Sequence, residues 1–208
     1  MTNPREISPR FNLLADARFE PLRDSLRERV QAAASAITAE TFPDVLDSTM
    51  RSVATSAFAA AGADEGSIWL AERSADNAVN ALVAAYNTGP DASKLIGHRQ
   101  PIAKGIISSV FAYEQPFCEN QVYKNEKHDK TVDKSLGMVT VAMIAVPLYF
   151  AGSPRGIVSC VKRKPRAQKN DPPGFPMESL RPVQLAAEVL SRLIDHRLIG
   201  VTVGYQSE

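Results

Sequence analysis

Charge of one sign is what this sequence lacks: among 208 residues, Lys and Arg number 24 and Asp and Glu 23, a formal balance of +1. Nucleic acid is therefore not a favoured partner, because that affinity rests on many phosphate contacts. Cysteine is nearly missing as well, with Cys118 and Cys160 alone and no CxxC. That argues against a disulfide scaffold or a zinc ribbon and for a reducing compartment, with the cytoplasm as the expected location. The three histidines, His98, His128 and His196, have no HxH or HxxxH spacing, so neither a metal centre nor another cofactor is expected. No apolar run reaches the roughly 18 residues that cross a bilayer. The longest, residues 139–150, is broken by Pro147 and reads as a buried strand. The opening Met-Thr-Asn-Pro-Arg-Glu has neither the basic nor the apolar region of a signal peptide. A Walker-type loop, a Ser-His-Asp order and a paired-carboxylate motif are all missing, so the chain is not expected to be an enzyme.

What is present is the composition of an ordinary globular domain, 44% hydrophobic and 23% charged, in a length that suits one core. Residues 1–18 are rich in breakers and read as a loose arm. Leu22, Leu26, Val30, Ala33 and Ile37 then form one helical stripe, spaced four, four, three and four. After Thr41-Phe42-Pro43-Asp44 a second helix is expected through Val45, Leu46, Met50, Val53, Ala57 and Phe58, with Gly62 as its stop. The period then changes to that of strands, over residues 67–70 and 79–86, followed by a loop at 87–90. Lys104-Gly105 opens a short helix over 106–112, and a brief strand follows near Phe117-Cys118. Residues 119–137 form a polar excursion. Residues 140–150 and 156–164 form a hairpin about Ala151-Gly152-Ser153-Pro154-Arg155. A linker over 165–178 leads to a last helix over 180–199, with Val183, Ala187, Leu190 and Ile194 on one stripe. The order gives an α+β fold, an antiparallel sheet with helices on one side, flanked by N- and C-terminal amphipathic helices. The divisions expected are an arm and helix over 1–43, one domain over 44–199 including the last helix, and a tail over 200–208.

The order of these segments resembles a GAF domain over roughly residues 44–198. Gly66-Ser67-Ile68-Trp69-Leu70 looks like the first core strand, and Pro101-Ile102-Ala103-Lys104-Gly105-Ile106 like the turn into the short helix. Ala145-Val146-Pro147-Leu148 and Arg155-Gly156-Ile157-Val158 look like the terminal hairpin. Gln121-Val122-Tyr123-Lys124 and Val132-Asp133-Lys134-Ser135-Leu136-Gly137 are similar to the regulatory GAF domains of cyclic-nucleotide phosphodiesterases and some bacterial adenylate cyclases. The resemblance implies a small-molecule pocket, with a cyclic nucleotide as its ligand class, lined by Ser67, Tyr86, Asn87, Ile106, Ile107 and Thr140. Ser67, Asn87 and Thr140 would bond a purine edge, Tyr86 would stack on the base, and the isoleucines would supply apolar contact. The free N–H groups at the start of the Gly105 helix would suit a phosphate or carboxylate. Lys124 and Asp133 would pair to close the excursion as a lid, against the plainer reading of two solvated charges. His128 would give that lid a pH-sensitive group. The chain departs from the nucleotide-binding pattern at His128, Leu136 and Ser159.

The function these readings imply is a sensory module that binds a small molecule and signals through its flanking helices to an output protein still to be identified. Those helices are also expected to pair across a twofold axis as a homodimer. Two other readings stand beside it. One is an interaction or dimerisation module whose pocket is filled by Tyr86, Leu136 and Ile107. The other is a free methionine-(R)-sulfoxide reductase acting through Cys118, set against packing roles for both thiols. The run Lys162-Arg163-Lys164-Pro165-Arg166, with Lys169, reads as a solvated loop.

Overall fold

The computed structural model describes residues 17–205. All of the expected N-terminal arm but its last two residues lies outside that range. A 3-10 turn, Ala17–Leu22, leads into α1 (Arg23–Ser35). Of the expected stripe, Val30, Ala33 and Ile37 pack on the core, whereas Leu22 stays exposed. The single helix expected beyond Thr41 is two: α2 (Phe42–Val45), one turn with Pro43 inside it, and α3 (Ser48–Ala61). Asp47 makes the division. Its backbone is extended and its carboxylate accepts from Met50 N at 2.7 Å, which caps a new helix. Gly62, at φ 72°, ends α3 in the left-handed conformation that glycine adopts without strain.

The sheet follows: β1 (Glu65–Arg73), β2 (Val79–Asn87), one helical turn α4 (Ala92–Leu95), β3 (Arg99–Pro101), α5 (Ile106–Tyr113), β4 (Phe117–Asn120), α6 (Thr131–Leu136), β5 (Met138–Phe150) and β6 (Ser153–Pro165). The last helix, α7 (Leu180–Val203), runs beyond Ile199 to a Gly204 stop. Strand order is β3-β2-β1-β6-β5-β4, every pair antiparallel. The first strand thus pairs with the last at the centre of the sheet. Gly156 makes that pairing possible, since a Cβ there would lie 2.0 Å from the Trp69 carbonyl oxygen. Gly156→Ala must push two core strands apart and is expected to destabilise the fold by about 1–3 kcal/mol or more. Urea unfolding measures it; an unchanged midpoint would refute that packing.

Alternation along the strands gives the sheet two different faces. Ile68, Leu70, Ile144, Val146, Leu148 and Val158 pack beneath α3 and α7, so the three long helices share one side. Trp69, Ala84, Ala145 and Ile157 face the other way, under Ile106, Ile107, Val110 and Phe111 of α5. That second cover is short. The eight residues of α5, the single turn α4 with its Leu95, and the excursion that ends in α6 roof it. No helix among the described residues is long and apolar enough to cross a membrane.

Candidate functional site

Beneath this short roof lies a cavity of about 80 Å3. Its floor follows from strand parity. Glu65, Ser67 and Trp69 alternate along β1, and Ser67 and Trp69 stand opposite Ser159 and Ile157 of β6, so one row of side chains crosses both strands. Val161 and Arg163 continue the β6 row, and Thr140 stands opposite Arg163 on β5. Gly105, Ile106 and Ile107 close the top from α5, and His128, Asp129, Val132 and Asp133 close it from the excursion. Gly105 has φ 89°, and a Cβ there would press on the Gln100 side chain, so glycine is required where the chain turns into α5. No side chain caps the helix it begins.

The polar groups are mostly paired. Trp69 Nε1 donates to Ser159 Oγ at 3.1 Å, and Asn87 Nδ2 donates to Ser67 Oγ at 2.9 Å. Asp133 accepts from Thr140 N at 2.9 Å and from Thr140 Oγ1 at 2.7 Å, and lies 3.1 Å from His128 Nε2. Burial opposes ionisation of this carboxyl, but the bonds from His128 and Thr140 outweigh it and hold its pKa below the ordinary aspartate value. Asp129 ties the roof to the sheet edge by accepting from Gln100 Nε2 at 3.2 Å.

At the other end Arg163 and Glu65 form an ion pair at 2.5 Å, their side chains 7% and 6% exposed. Burial exceeds the attraction of Arg163 and leaves the Glu65 pKa raised. Arg163 Nε is buried with no hydrogen-bond partner among the described residues. A residue of the cavity wall thus carries a buried donor left without a partner among the described residues. Outside the roof, Lys104, Lys127 and Lys130 line an open groove of about 680 Å3. Gly105, His128 and Asp129 belong to both spaces and form the partition between them.

Of the residues expected at the site, Ser67, Ile106, Ile107 and Thr140 line the cavity, as do His128 and Asp133. Asn87 stands one step behind, against Ser67. Tyr86 does not reach it. Adjacent strand residues face opposite sides, so with Asn87 toward Ser67 the Tyr86 ring packs on the long-helix face, 5.7 Å from the Arg51 guanidinium. The expected Lys124–Asp133 ion pair is not formed. Lys124 is exposed and bonds Gln121, whereas Asp133 turns inward to His128 and Thr140. The basic run is no uniform solvated loop either. Parity buries Arg163, while Lys164 pairs with Asp171 and Lys162 lies 5.2 Å from the Phe175 ring. Glu65, Trp69, Gln100, Asp129 and Arg163 belong to the site and were not among the expected residues; continuing the alternation from Ser67 would have found Glu65 and Trp69.

Cys118 and Cys160 flank Ile144 on neighbouring strands, and both pack with the long-helix core. Burial raises both thiols, Cys160 to about 12.

A six-stranded antiparallel sheet with long helices on one face and a roofed polar cavity on the other defines a class of α+β domain. Solved structures place the chain within it. The GAF domain from a phosphoenolpyruvate-protein phosphotransferase of Coxiella burnetii is similar over 92% of this chain and 100% of its own, with TM-score 0.56 and 19% identity. A GAF domain/HD domain protein from Geobacter sulfurreducens is similar over 77% of this chain and 97% of its own, with TM-score 0.55 and 13% identity. The GAF-B domain of DevS from Mycobacterium smegmatis is similar over 71% and 91%, with TM-score 0.51 and 17% identity. The chain has the GAF-domain fold. No protein-family model and no curated protein matches its sequence.

Proposed function

We propose that the chain is a sensory and regulatory module that encloses one small polar molecule between the sheet and the α5–α6 roof. The observation that carries this is Arg163: a guanidinium 7% exposed, lining the cavity, with Nε lacking a partner among the described residues. The guest would present an acceptor oxygen or nitrogen to the Arg163 guanidinium and apolar surface to Ile106, Ile107 and Val132. Cavity size then selects among ligands. At about 80 Å3 the space is roughly half of one that admits benzene. A cyclic nucleotide, larger still, enters only if α6 swings out, and the bonds that resist this are those of Asp133. The only tryptophan, Trp69, lines the cavity and reports on this directly. Titration with cyclic AMP, cyclic GMP and cyclic dinucleotides is expected to leave Trp69 emission unchanged; a saturable change would establish the nucleotide version.

Signalling would run through the sheet. The strands that floor the cavity carry α7 on their other face, and the β5–β6 turn donates from Ala151 N to Asp195 of α7 at 2.6 Å. Arg197 of α7 in turn holds Asp47, the cap of α3, at 2.6 Å. Occupancy that favours one sheet geometry therefore biases the helices. Leu185, Ile199 and Val203 of α7 are exposed, with Val189 half-buried on the same stripe. That stripe, uncovered among the described residues, supports a homodimer through α7. Light scattering is expected to give twice the chain mass at micromolar concentration, and a monomer there would refute it. The thiols support a non-catalytic reading, because both pack with the long-helix core and burial raises both pKa values, disfavouring the thiolate.

The small cavity also favours a second reading, an interaction module whose pocket stays empty. The filling this reading calls for, Tyr86 together with Leu136 and Ile107, does not occur, since Tyr86 and Ile107 lie on opposite faces of the sheet.

A further inference from the structure

The same strands end, away from the roofed cavity, in a second concavity of about 620 Å3. It lies between the β1–β2 and β5–β6 hairpin ends and the connection from α1 to α2. Its volume falls within the roughly 300–1,000 Å3 of small-molecule sites. Three arginines line it, Arg73, Arg99 and Arg155, against two carboxylates, Glu40 and Glu72. Arg99 is neutralised by Glu72, with which it makes an ion pair. Glu40 is exposed at the rim.

The other two arginines have no carboxylate in contact among the described residues. Arg73 donates only to backbone carbonyls, to Asn77 O at 3.0 Å and to Pro154 O at 3.5 Å. Arg155 stacks on the Phe150 ring at 5.7 Å, and its Nε is buried with no hydrogen-bond partner among the described residues. Burial, and after it the like charge of Arg73, disfavour the Arg155 cation. Two guanidiniums that repel each other gain from an anion placed between them, and a phosphate or carboxylate matches their planar forks. Beside them Ile37, Ala39 and Ile96 supply apolar wall.

We infer that this concavity is a second ligand site, for a small organic anion whose phosphate or carboxylate is held by Arg73 and Arg155 and whose apolar body lies against Ile37, Ala39 and Ile96. It does not depend on the roofed cavity. Because it sits between the β5–β6 turn and the segment that follows α1, an occupant there would bear on the helices from the other end of the same strands.

Isothermal titration calorimetry of the full chain with phenyl phosphate tests it, with benzoate to compare head groups and inorganic phosphate to isolate the apolar contribution. Saturable binding of phenyl phosphate is expected, tighter than that of inorganic phosphate. Arg155→Gln and Arg73→Gln should each weaken it by roughly tenfold or more, as loss of a charge-assisted pair does. A Glu65→Leu/Arg163→Met double variant, altered in the roofed cavity, should bind as the parent does. Arg155→Gln should also melt no lower than the parent, since it removes a repulsion and a buried unpaired donor. Absence of saturable binding by the parent, or unchanged binding by both arginine variants, would overturn the inference. If Arg155→Gln fails to fold, Arg73→Gln decides the matter alone.

Discussion

Glu65→Leu alone is expected to cost the fold about 3–5 kcal/mol, whereas Glu65→Leu combined with Arg163→Met should be close to neutral or stabilising. The asymmetry follows from burial. Both side chains are under one-tenth exposed, so each was desolvated on folding and is offset only in part by the other. Removing the carboxylate leaves a guanidinium in a low-dielectric wall without its contact partner, with Asp91 acting on it only at longer range. Removing both leaves two apolar side chains beside Trp69 and Val161. Urea unfolding of the parent, the two single variants and the double variant gives the coupling energy directly. A coupling near zero would mean that the pair is solvated and that the cavity is not closed. The pH dependence carries a second sign. Folding raises the Glu65 pKa, so the unfolded chain ionises first. Its contribution to stability is therefore full below the ordinary glutamate range and declines as pH rises toward the folded value.

Asp133→Ala should act on the roof rather than on the whole fold. Thr140 N, Thr140 Oγ1 and His128 all lose their acceptor at once. A buried donor left unpaired costs roughly 1–3 kcal/mol, and here the roof can open to let water replace the carboxylate. An opening made easier by about 2 kcal/mol speeds amide exchange over residues 128–137 by roughly thirtyfold, with little change over β1, β6 and α7. Uniform acceleration across the chain, or none, would contradict a roof tethered at this point. In the parent the same tether is acid-sensitive. Folding lowers the Asp133 pKa, so its contribution is present above the ordinary aspartate range, about 4, and is lost as pH falls through the folded value. Exchange over 128–137, corrected for intrinsic rates, should rise on acidification in the parent and stay flat in Asp133→Ala.

Much of the architecture is legible in the sequence because local chemistry agrees with the fold. Gly62 marks a helix stop, Gly105 a turn into a helix, and Ala151-Gly152 a hairpin. All three have positive φ in the structure, where glycine or a turn is required. β3 and α4 escape such a reading because three and four residues are too few to show a period. At the site, what sequence supplies depends on parity. Tyr86 and Asn87 are neighbours in the chain and lie on opposite faces of the sheet, so a resemblance that carries both into one pocket loses one of them. Arg163 is hidden by the reverse effect. Amid Lys162, Lys164 and Arg166 it reads as one more surface cation, until alternation turns it inward. The partner of Asp133 was open to the same ambiguity: Lys124 and His128 both lie within reach along the chain, and only the inward face of α6 decides for His128.

In the proposed function the roofed cavity holds a small molecule, with Arg163 in its wall. Native mass spectrometry of the chain, isolated under non-denaturing conditions from the cells that make it, tests this most directly. The parent is predicted to carry one small molecule per chain, and the Glu65→Leu/Arg163→Met variant, folded but without the polar wall, to be bare. A bare parent, or a guest retained equally by both, would contradict it.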